Sequence, residues 1–252
     1  MAVAEESTEG RETGQGLPDD HRDGLAARLS EVARTLHEQG DAQGTLDAIV
    51  RAAVGTIPGA CDAGVMTVVS RRKVDTVAVT GELPGLVDQV QYETGQGPCL
   101  TALFDQRVVS VPDVAAEERW PDFAARVREL DVASMLSFQL YVADDDLGAL
   151  NLYAPVTEAF DEESEHVGSL FASHAAVALA AAQERDHLAE SVHTRDLIGQ
   201  AKGILMERHK ITADQAFALL VRGSQHTNTK VRDLAEQLVR TGELSPPPGR
   251  RR

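Results

Sequence analysis

In the C-terminal quarter of the chain, apolar residues recur every three or four positions in three consecutive segments, which predicts three amphipathic helices. The first segment places Leu205 on its apolar face. The second opens with Thr212, and Gln215 follows three residues later, as in a helix capping box. The third is predicted to begin near Asn228, because asparagine is favoured at helix N-termini. The spacing also places Phe217 on the core face of the second helix.

In the preceding part of the chain, the spacing of apolar residues alternates between helical and strand patterns. Two helices are predicted first, over 24–39 and around 46–57, and then a β-hairpin with strands 64–70 and 73–80 that turns at Arg71-Arg72. The other predicted elements are helices at 83–90, 98–104 and around Trp120, strands at 107–111, 136–142 and 147–154, an acidic turn at 144–146 and a long helix over 161–187. This order predicts an α+β domain with a central antiparallel sheet, with helices on one side.

Side chains of the strand at 136–142 alternate, with Leu136, Phe138, Leu140 and Val142 on one side, which predicts a sheet with one buried face. A long helix and an all-α domain of three helices follow the α+β domain. The predicted boundaries are 1–22 for a disordered acidic tail, 23–187 for the α+β domain, 188–242 for the helical domain and 243–252 for a disordered Pro/Arg tail.

The connection between the two domains is predicted to be one continuous helix, because no glycine or proline occurs from Ser169 to Ile198. Its residues Val177, Ala181, Leu188 and Val192 recur at intervals of four, seven and four, as in a partial coiled-coil seam. We expect this seam to form a homodimer, in which it pairs with the stripe Leu25, Leu29, Val32 and Leu36 of the first helix.

Charge is distributed unevenly along the sequence. The whole chain carries −16, whereas eleven Lys and Arg against seven Asp and Glu give +4 from Glu190 to the end. A basic end on an acidic protein favours a polyanionic partner there. Only Cys61 and Cys99 are cysteines, with no CxxC, which fits a reducing cytoplasm better than disulfides or structural zinc. No signal-peptide core or membrane-length apolar run occurs in the sequence, so we expect a cytoplasmic protein without a membrane partner.

Cations and hydrogen-bond donors are concentrated around the turn between the second and third C-terminal helices, as phosphate and loop-base recognition requires. The candidate nucleic-acid ligands are Lys202, Arg222, Ser224, Gln225, Asn228, Lys230 and Arg232. The composition alone favours a different interpretation, in which these residues form the solvated face of a helical dimerisation module. A three-helix bundle also leaves DNA as a competing partner.

Four groups of residues carry a resemblance to a known family. They are Ala201-Lys202-Gly203-Ile204-Leu205-Met206, Ala216-Phe217, Arg222-Gly223-Ser224-Gln225 and Lys230-Val231-Arg232-Asp233-Leu234-Ala235. Across all three helices the segment resembles the ANTAR domain, an antiterminator RNA-binding module of bacterial regulators. The resemblance implies a dimer that binds paired RNA hairpins in a nascent transcript and thereby blocks a transcription terminator.

The α+β domain resembles a GAF domain over about 45–182. The residues that carry this resemblance are Tyr92 to Cys99, Val109 to Asp113 and Leu147 to Tyr153. In GAF domains that bind cyclic nucleotides an Asn-Lys pair is expected, but here Leu152 follows Asn151. In bilin-binding members a histidine follows the attachment cysteine, but here Leu100 follows Cys99. The sequence therefore identifies no cofactor, and the small-molecule signal of the domain stays unassigned.

The candidate sensor pocket consists of Gly95, Gly97, Cys99 and Asn151. Cys99 is predicted near the N-terminus of a short helix, where the helix dipole lowers the pKa of a thiol, so a redox sensor is one interpretation. A small buried hydrophobic residue is the other. Gly95-Gln96-Gly97 could cradle an anion, but it lacks the Lys-Ser/Thr of a phosphate-binding loop.

Together these features predict a signal-responsive antitermination regulator that binds RNA hairpins under the control of a sensor domain. The alternative is a ligand- or redox-sensing dimer whose helical end binds a protein. The sequence contains no nucleophile–base pair, metal constellation or phosphate loop, so we do not expect an enzyme.

Overall fold

The computed structural model describes residues 19–243 except 71, 72, 105 and 144. Residues 1–18 of the predicted N-terminal tail (1–22) and residues 244–252 of the predicted C-terminal tail (243–252) lie outside the described residues. The hairpin turn at Arg71-Arg72 and residue 144, the first of the acidic turn, also lie outside them. The chain divides into two compact units, an N-terminal unit (Met1–Ala182) and a C-terminal unit (Gln183–Arg252). Over the described part of the chain, no helix has the length and apolar character needed to cross a membrane.

The N-terminal unit is built on a five-stranded antiparallel sheet in the order β2-β1-β5-β4-β3. The strands are β1 (Asp62–Ser70), β2 (Lys73–Val79), β3 (Val108–Val111), β4 (Ser134–Val142) and β5 (Asp145–Ala154). The helices that begin in this unit are α1 (Asp19–His37), α2 (Ala42–Thr56), α3 (Glu82–Thr94), α4 (Pro98–Phe104), α5 (Pro121–Val127) and α6 (Glu162–His209). The prediction of an α+β domain with a central antiparallel sheet flanked by helices is confirmed.

Both faces of the sheet are buried, so the prediction of one buried face with helices on one side is wrong. Alternate residues of β4 contribute to two cores, with Phe138 in the first core and Met135 in the second. The first core packs α1, α2 and α6 against one face, and the second packs α3, α4 and α5 against the other. Ser137 and Gln139 alternate with the apolar residues of this strand, yet Ser137 is fully buried.

The first helix completes the first core of its own chain. It begins at Asp19 rather than at Gly24, and it buries Leu29 and Leu36 beside residues of α2. Two of the four residues of this stripe, Leu29 and Leu36, are thus already buried within the unit, which leaves less of the stripe for the predicted pairing with α6 across a dimer.

The predicted continuous helix is confirmed, since α6 runs for 48 residues without a break. The C-terminal unit continues with α7 (Ala213–Thr227) and α8 (Val231–Thr241). The capping box of Thr212 and Gln215 is present at the start of α7. Asn228, however, ends α7 in the left-handed region, with φ of 51°, and Lys230 occupies the N-cap of α8. Asparagine tolerates this conformation better than most residues, which explains its place at a helix C-terminus.

Candidate sensor pocket and nucleic-acid interface

A buried carboxylate lies at the centre of the second core. The Oδ1 atom of Asp88 on α3 accepts hydrogen bonds from Tyr153 Oη at 3.1 Å and Gln91 Nε2 at 3.2 Å, and it faces the Cys99 thiol at 3.8 Å. Its Oδ2 atom accepts a hydrogen bond from Thr76 Oγ1 at 2.7 Å. Burial raises the pKa of Asp88 to about 6, and the hydrogen bonds from these neighbours oppose the shift.

Cys99 is fully buried in α4, beside Asp88. Burial and the Asp88 carboxylate raise the pKa of its thiol well above the usual range, against smaller opposing effects of the Gln91 and Asn151 side chains. The predicted lowering of this pKa by the helix dipole is therefore wrong. Removal from water outweighs the field of a helix only seven residues long. A neutral thiol is a poor nucleophile, which weakens the redox interpretation.

The two glycines of the candidate pocket shape the junction between α3 and α4. Gly95 ends α3 in the left-handed region, with φ of 66°, and is exposed. Gly97 has φ of 141°, and a Cβ there would lie 2.3 Å from Gln91 Oε1. That oxygen accepts the backbone N–H of Cys99 at 3.0 Å, so this N–H is not available to an anion as the sequence had suggested.

Asn151 on β5 and Ser137 on β4 are paired neighbours in the sheet, and both side chains are fully buried. Within the described part of the chain, the Asn151 amide atoms and the Ser137 hydroxyl have no hydrogen-bond partner. The structure thus brings Asn151, Cys99 and, through Gln91, Gly97 into one buried polar cluster, while Gly95 lies at its edge. Unpaired buried amide and hydroxyl groups can hold a small polar molecule or an ordered water.

The histidines of α6 do not belong to this cluster. His166 and His174 are exposed and line a groove with Leu25 and Leu29 of α1. No group of three or more His, Cys, Asp or Glu side chains that could hold a metal occurs among the residues described.

The C-terminal unit has a small core formed by α7, α8 and the last turns of α6. Its fully buried residues are Ala201, Leu205, Ala216, Leu220, Ala235 and Leu238. Two of the helices approach closely at Gly223, where an added Cβ would lie 2.8 Å from Leu234 Cδ2. The Leu234 side chain of α8 therefore packs directly against the backbone of α7 at Gly223.

The predicted nucleic-acid ligands fall into two groups. Arg222, Gln225, Asn228 and Lys230 are exposed on the last turns of α7 and its connection to α8, and Lys202 is half-buried on α6. Within the described residues, none of the three cations of this first group, Lys202, Arg222 and Lys230, forms an ion pair.

The other two predicted ligands have partners inside the unit. Arg232 forms ion pairs with Glu190 and, at 3.2 Å, with Asp233. Ser224 donates its hydroxyl to the Thr229 carbonyl at 2.6 Å, which stabilises the turn after α7. An RNA contact by either residue would require exchange of these internal interactions.

Phe217 is exposed, so its predicted place on the core face of α7 is wrong. Its exposed fraction is 43%, because the narrow buried stripe of α7 consists of Ala216 and Leu220. One position on a helix corresponds to a rotation of about 100°, which turns Phe217 away from this stripe. Sequence spacing of three or four could not separate these adjacent positions. An aromatic ring on the surface of the helix that also carries the predicted ligands Arg222, Ser224 and Gln225 is a candidate base-stacking residue.

Comparisons with known proteins agree with this division. A family model described as the GAF domain matches residues 39–180, and one described as the ANTAR domain matches residues 186–239. No curated protein matches the sequence. Among solved structures, the GAF domain of a phosphoenolpyruvate-protein phosphotransferase from Coxiella burnetii covers 65% of this chain and 96% of its own, at 17% identity and a TM-score of 0.53.

Two further structures share the fold of the N-terminal unit. Free methionine-R-sulfoxide reductase from Neisseria meningitidis, solved with its substrate, covers 68% of this chain and 98% of its own, at 16% identity and a TM-score of 0.52. The photosensory core module of the Stigmatella aurantiaca phytochrome covers 83% of this chain and 46% of its own, at 10% identity and a TM-score of 0.56. At these low sequence identities, the similarity shows a shared fold and nothing about function.

GAF domains are sensor domains and ANTAR domains are RNA-binding antiterminator domains, so both families are regulatory. The GAF match covers more than half of the 252 residues, and the ANTAR match falls on the helices that carry the unpaired cations. This chain therefore belongs to the GAF domain family and carries an ANTAR domain in its C-terminal unit.

Proposed function

We propose that this protein is a cytoplasmic transcription antitermination regulator whose ANTAR domain binds RNA hairpins under the control of its GAF domain. The observation that carries the proposal is the set of unpaired cations Lys202, Arg222 and Lys230 within the ANTAR match. Cations that are free of carboxylate partners can neutralise phosphates without first breaking an ion pair.

The test is RNA binding by the intact chain over a series of salt concentrations. Tandem hairpin RNA is the probe, and duplex DNA of matched length is the comparison. We expect affinity for the RNA to fall linearly with salt on logarithmic axes and to exceed that for the DNA. Equal affinity for the two would indicate nonspecific phosphate binding, and absence of RNA binding would favour a helical module that binds a protein.

A regulatory role also suits the chemistry of the N-terminal unit. One structural neighbour is a reductase, but Cys99 here is fully buried with a pKa raised by burial and by Asp88. A catalytic cysteine needs an accessible thiolate. We therefore propose that the GAF domain senses a signal and catalyses no reaction, and that its pocket includes Cys99 and Asn151.

We further propose that the protein acts as a homodimer through the exposed apolar stripe of α6. Val177, Leu188 and Val192 are about 60% exposed each, which is unusual for large apolar side chains on one helix face. Their spacing suits the seam between two identical helices. A dimer would present two ANTAR domains to two RNA hairpins.

Replacing Leu188 and Val192 together by glutamate is expected to give monomers, because four carboxylates would then meet in the seam. Light scattering over a range of protein concentrations measures the outcome. Val156→Glu is the matched control, since Val156 is 59% exposed but lies outside α6. An unchanged dimer in the double variant would place the interface elsewhere.

Phe217 is expected to stack on an unpaired base of the RNA loop. Replacement by alanine should lower RNA affinity by roughly tenfold, since a stacked base contributes about 1–3 kcal/mol. The salt dependence should stay unchanged, because no charge is removed. Phe217→Tyr retains the ring and should bind normally, whereas Phe217→Leu retains only the bulk. Normal binding by the leucine variant would argue for simple apolar contact instead of stacking.

A further inference from the structure

We propose that the GAF domain contains a proton-binding switch, in which Asp88 takes up a proton from solvent through the hydroxyl groups of Tyr92 and Thr76. Proton uptake reverses the direction of the hydrogen bonds along this path. The inference deepens the sensor role by naming one signal, and it concerns the N-terminal unit alone. It therefore holds whether or not the C-terminal unit binds RNA.

The path consists of two short hydrogen bonds. Tyr92 Oη lies 2.6 Å from Thr76 Oγ1, and Thr76 Oγ1 lies 2.7 Å from Asp88 Oδ2. Tyr92 is 37% exposed, whereas Asp88 is fully buried. The path thus connects solvent with a buried carboxylate through two hydroxyl groups, each of which can accept one proton while it gives up another.

The surroundings of Asp88 contain neutral donors and no compensating cation. The side chains that face Asp88 are Gln91 and Tyr92 on α3, Thr76 on β2, Cys99 on α4 and Tyr153 on β5. Two charged side chains on neighbouring elements interact with other residues. Asp75 on β2 acts on Tyr92, and Arg126 on α5 pairs with the exposed Glu93. Among the described residues, the charge of Asp88 is therefore balanced only by hydrogen bonds.

An uncompensated charge in a buried site favours uptake of a proton. The pKa of Asp88, raised by burial to about 6, agrees with this geometry. Because the Thr76 hydroxyl has one hydrogen and donates it to Asp88, Tyr92 must donate to Thr76 while the carboxylate is charged.

Protonation proceeds as a chain of O–H exchanges. A proton from solvent binds the Tyr92 oxygen, the Tyr92 proton passes to Thr76 Oγ1, and the original Thr76 proton passes to Asp88 Oδ2. Afterwards Asp88 donates to Thr76, Thr76 donates to Tyr92, and Tyr92 donates to solvent. The three donors at Oδ1 keep their acceptor, so the core stays intact while one negative charge is lost beside Cys99 and Tyr153.

The test is carbon-13 NMR of the intact chain with labelled aspartate carboxyl groups, titrated from pH 8 to pH 4. We expect one carboxyl resonance to titrate near pH 6 and to be lost in Asp88→Asn. Thr76→Val should move this midpoint to higher pH, because the anion loses a donor, and should slow proton exchange at the site. Thr76→Ser, which retains the hydroxyl, is the matched control.

Tyr92→Phe tests the proton path while it keeps the hydrogen bond from Thr76 to Asp88, because it removes only the outer hydroxyl. Exchange should slow in this variant while the resonance still titrates. Fluorescence of Trp120, which lies in the second core, verifies the fold of each variant. The inference is overturned if no aspartate titrates above pH 5 in the wild type, or if Thr76→Val and Thr76→Ser exchange protons at the same rate.

Discussion

Alanine in place of Lys202, Arg222 and Lys230 together is expected to lower the affinity for hairpin RNA by up to about a hundredfold near physiological salt. Each charge–phosphate contact contributes up to about 1 kcal/mol, and independent contacts add. The logarithmic salt dependence should become shallower by roughly 2 to 3, because each lost phosphate contact reduces the slope by about 0.7 to 0.9.

The matched control removes the same charge from another part of the same unit. Arg208, Lys210 and Arg240 are exposed, and none of them is among the predicted ligands. Lys210 forms an ion pair with Glu207, but both side chains are exposed, so its loss should change stability little. Their joint replacement by alanine should leave affinity within a few-fold of the wild type. An equal loss in both triple variants would mean that RNA responds to net charge, and the predicted face would have no special role.

Arg232 is left out of the test because it differs from the three unpaired cations. Its ion pairs with Glu190 and Asp233 lie within the C-terminal unit, so an alanine variant would change the contacts of α8 as well as RNA binding. A change in stability would then be difficult to separate from a change in recognition.

The order of helices and strands could be predicted because their signals are local. Thr212 and Gln215 form a capping box from four adjacent positions, and the long α6 follows from the lack of helix breakers. Asn228 was misplaced because asparagine is favoured both before a helix and in the left-handed conformation after one. The choice between these depends on the packing of α7 on α8, which sequence spacing does not encode.

The buried polar cluster could be predicted only in part, because Asp88 and Ser137 resemble solvated residues in the sequence. Ser137 alternates with apolar residues, and Asp88 occupies a helix, yet both are fully buried. Their burial results from the packing of α3 and α4 on the second sheet face, which brings together residues from four elements. Cys99 and Asn151 were named from the sequence as pocket candidates, but the sign of the pKa shift of Cys99 depends on its burial and on Asp88, which lies eleven residues away in the sequence.

Asp88→Asn is expected to stabilise the N-terminal unit near neutral pH. Burial raises the pKa of Asp88 from 3.8 to about 6, so the charged form costs about 3 kcal/mol of folding free energy above that pH. Asparagine has the shape of the protonated side chain, since its Oδ1 can keep the three donors and its Nδ2 can donate to Thr76. The variant should therefore gain up to about 3 kcal/mol at pH 7.5.

The stabilisation expected from Asp88→Asn should depend on pH in a defined direction. Between pH 4 and pH 6 the folded chain binds a proton at Asp88 that the unfolded chain does not, so the stabilising contribution is complete below about pH 4 and is lost as the pH rises through 6. The difference in unfolding free energy between variant and wild type should therefore be near zero at pH 4 and largest above pH 7. Denaturant unfolding followed by the fluorescence of Trp120, the single tryptophan, measures it. Asp131→Asn, at an exposed position, is the control. Parallel pH curves for wild type and Asp88→Asn would show that the pKa of Asp88 is the same in the folded and the unfolded chain, so that burial does not shift it.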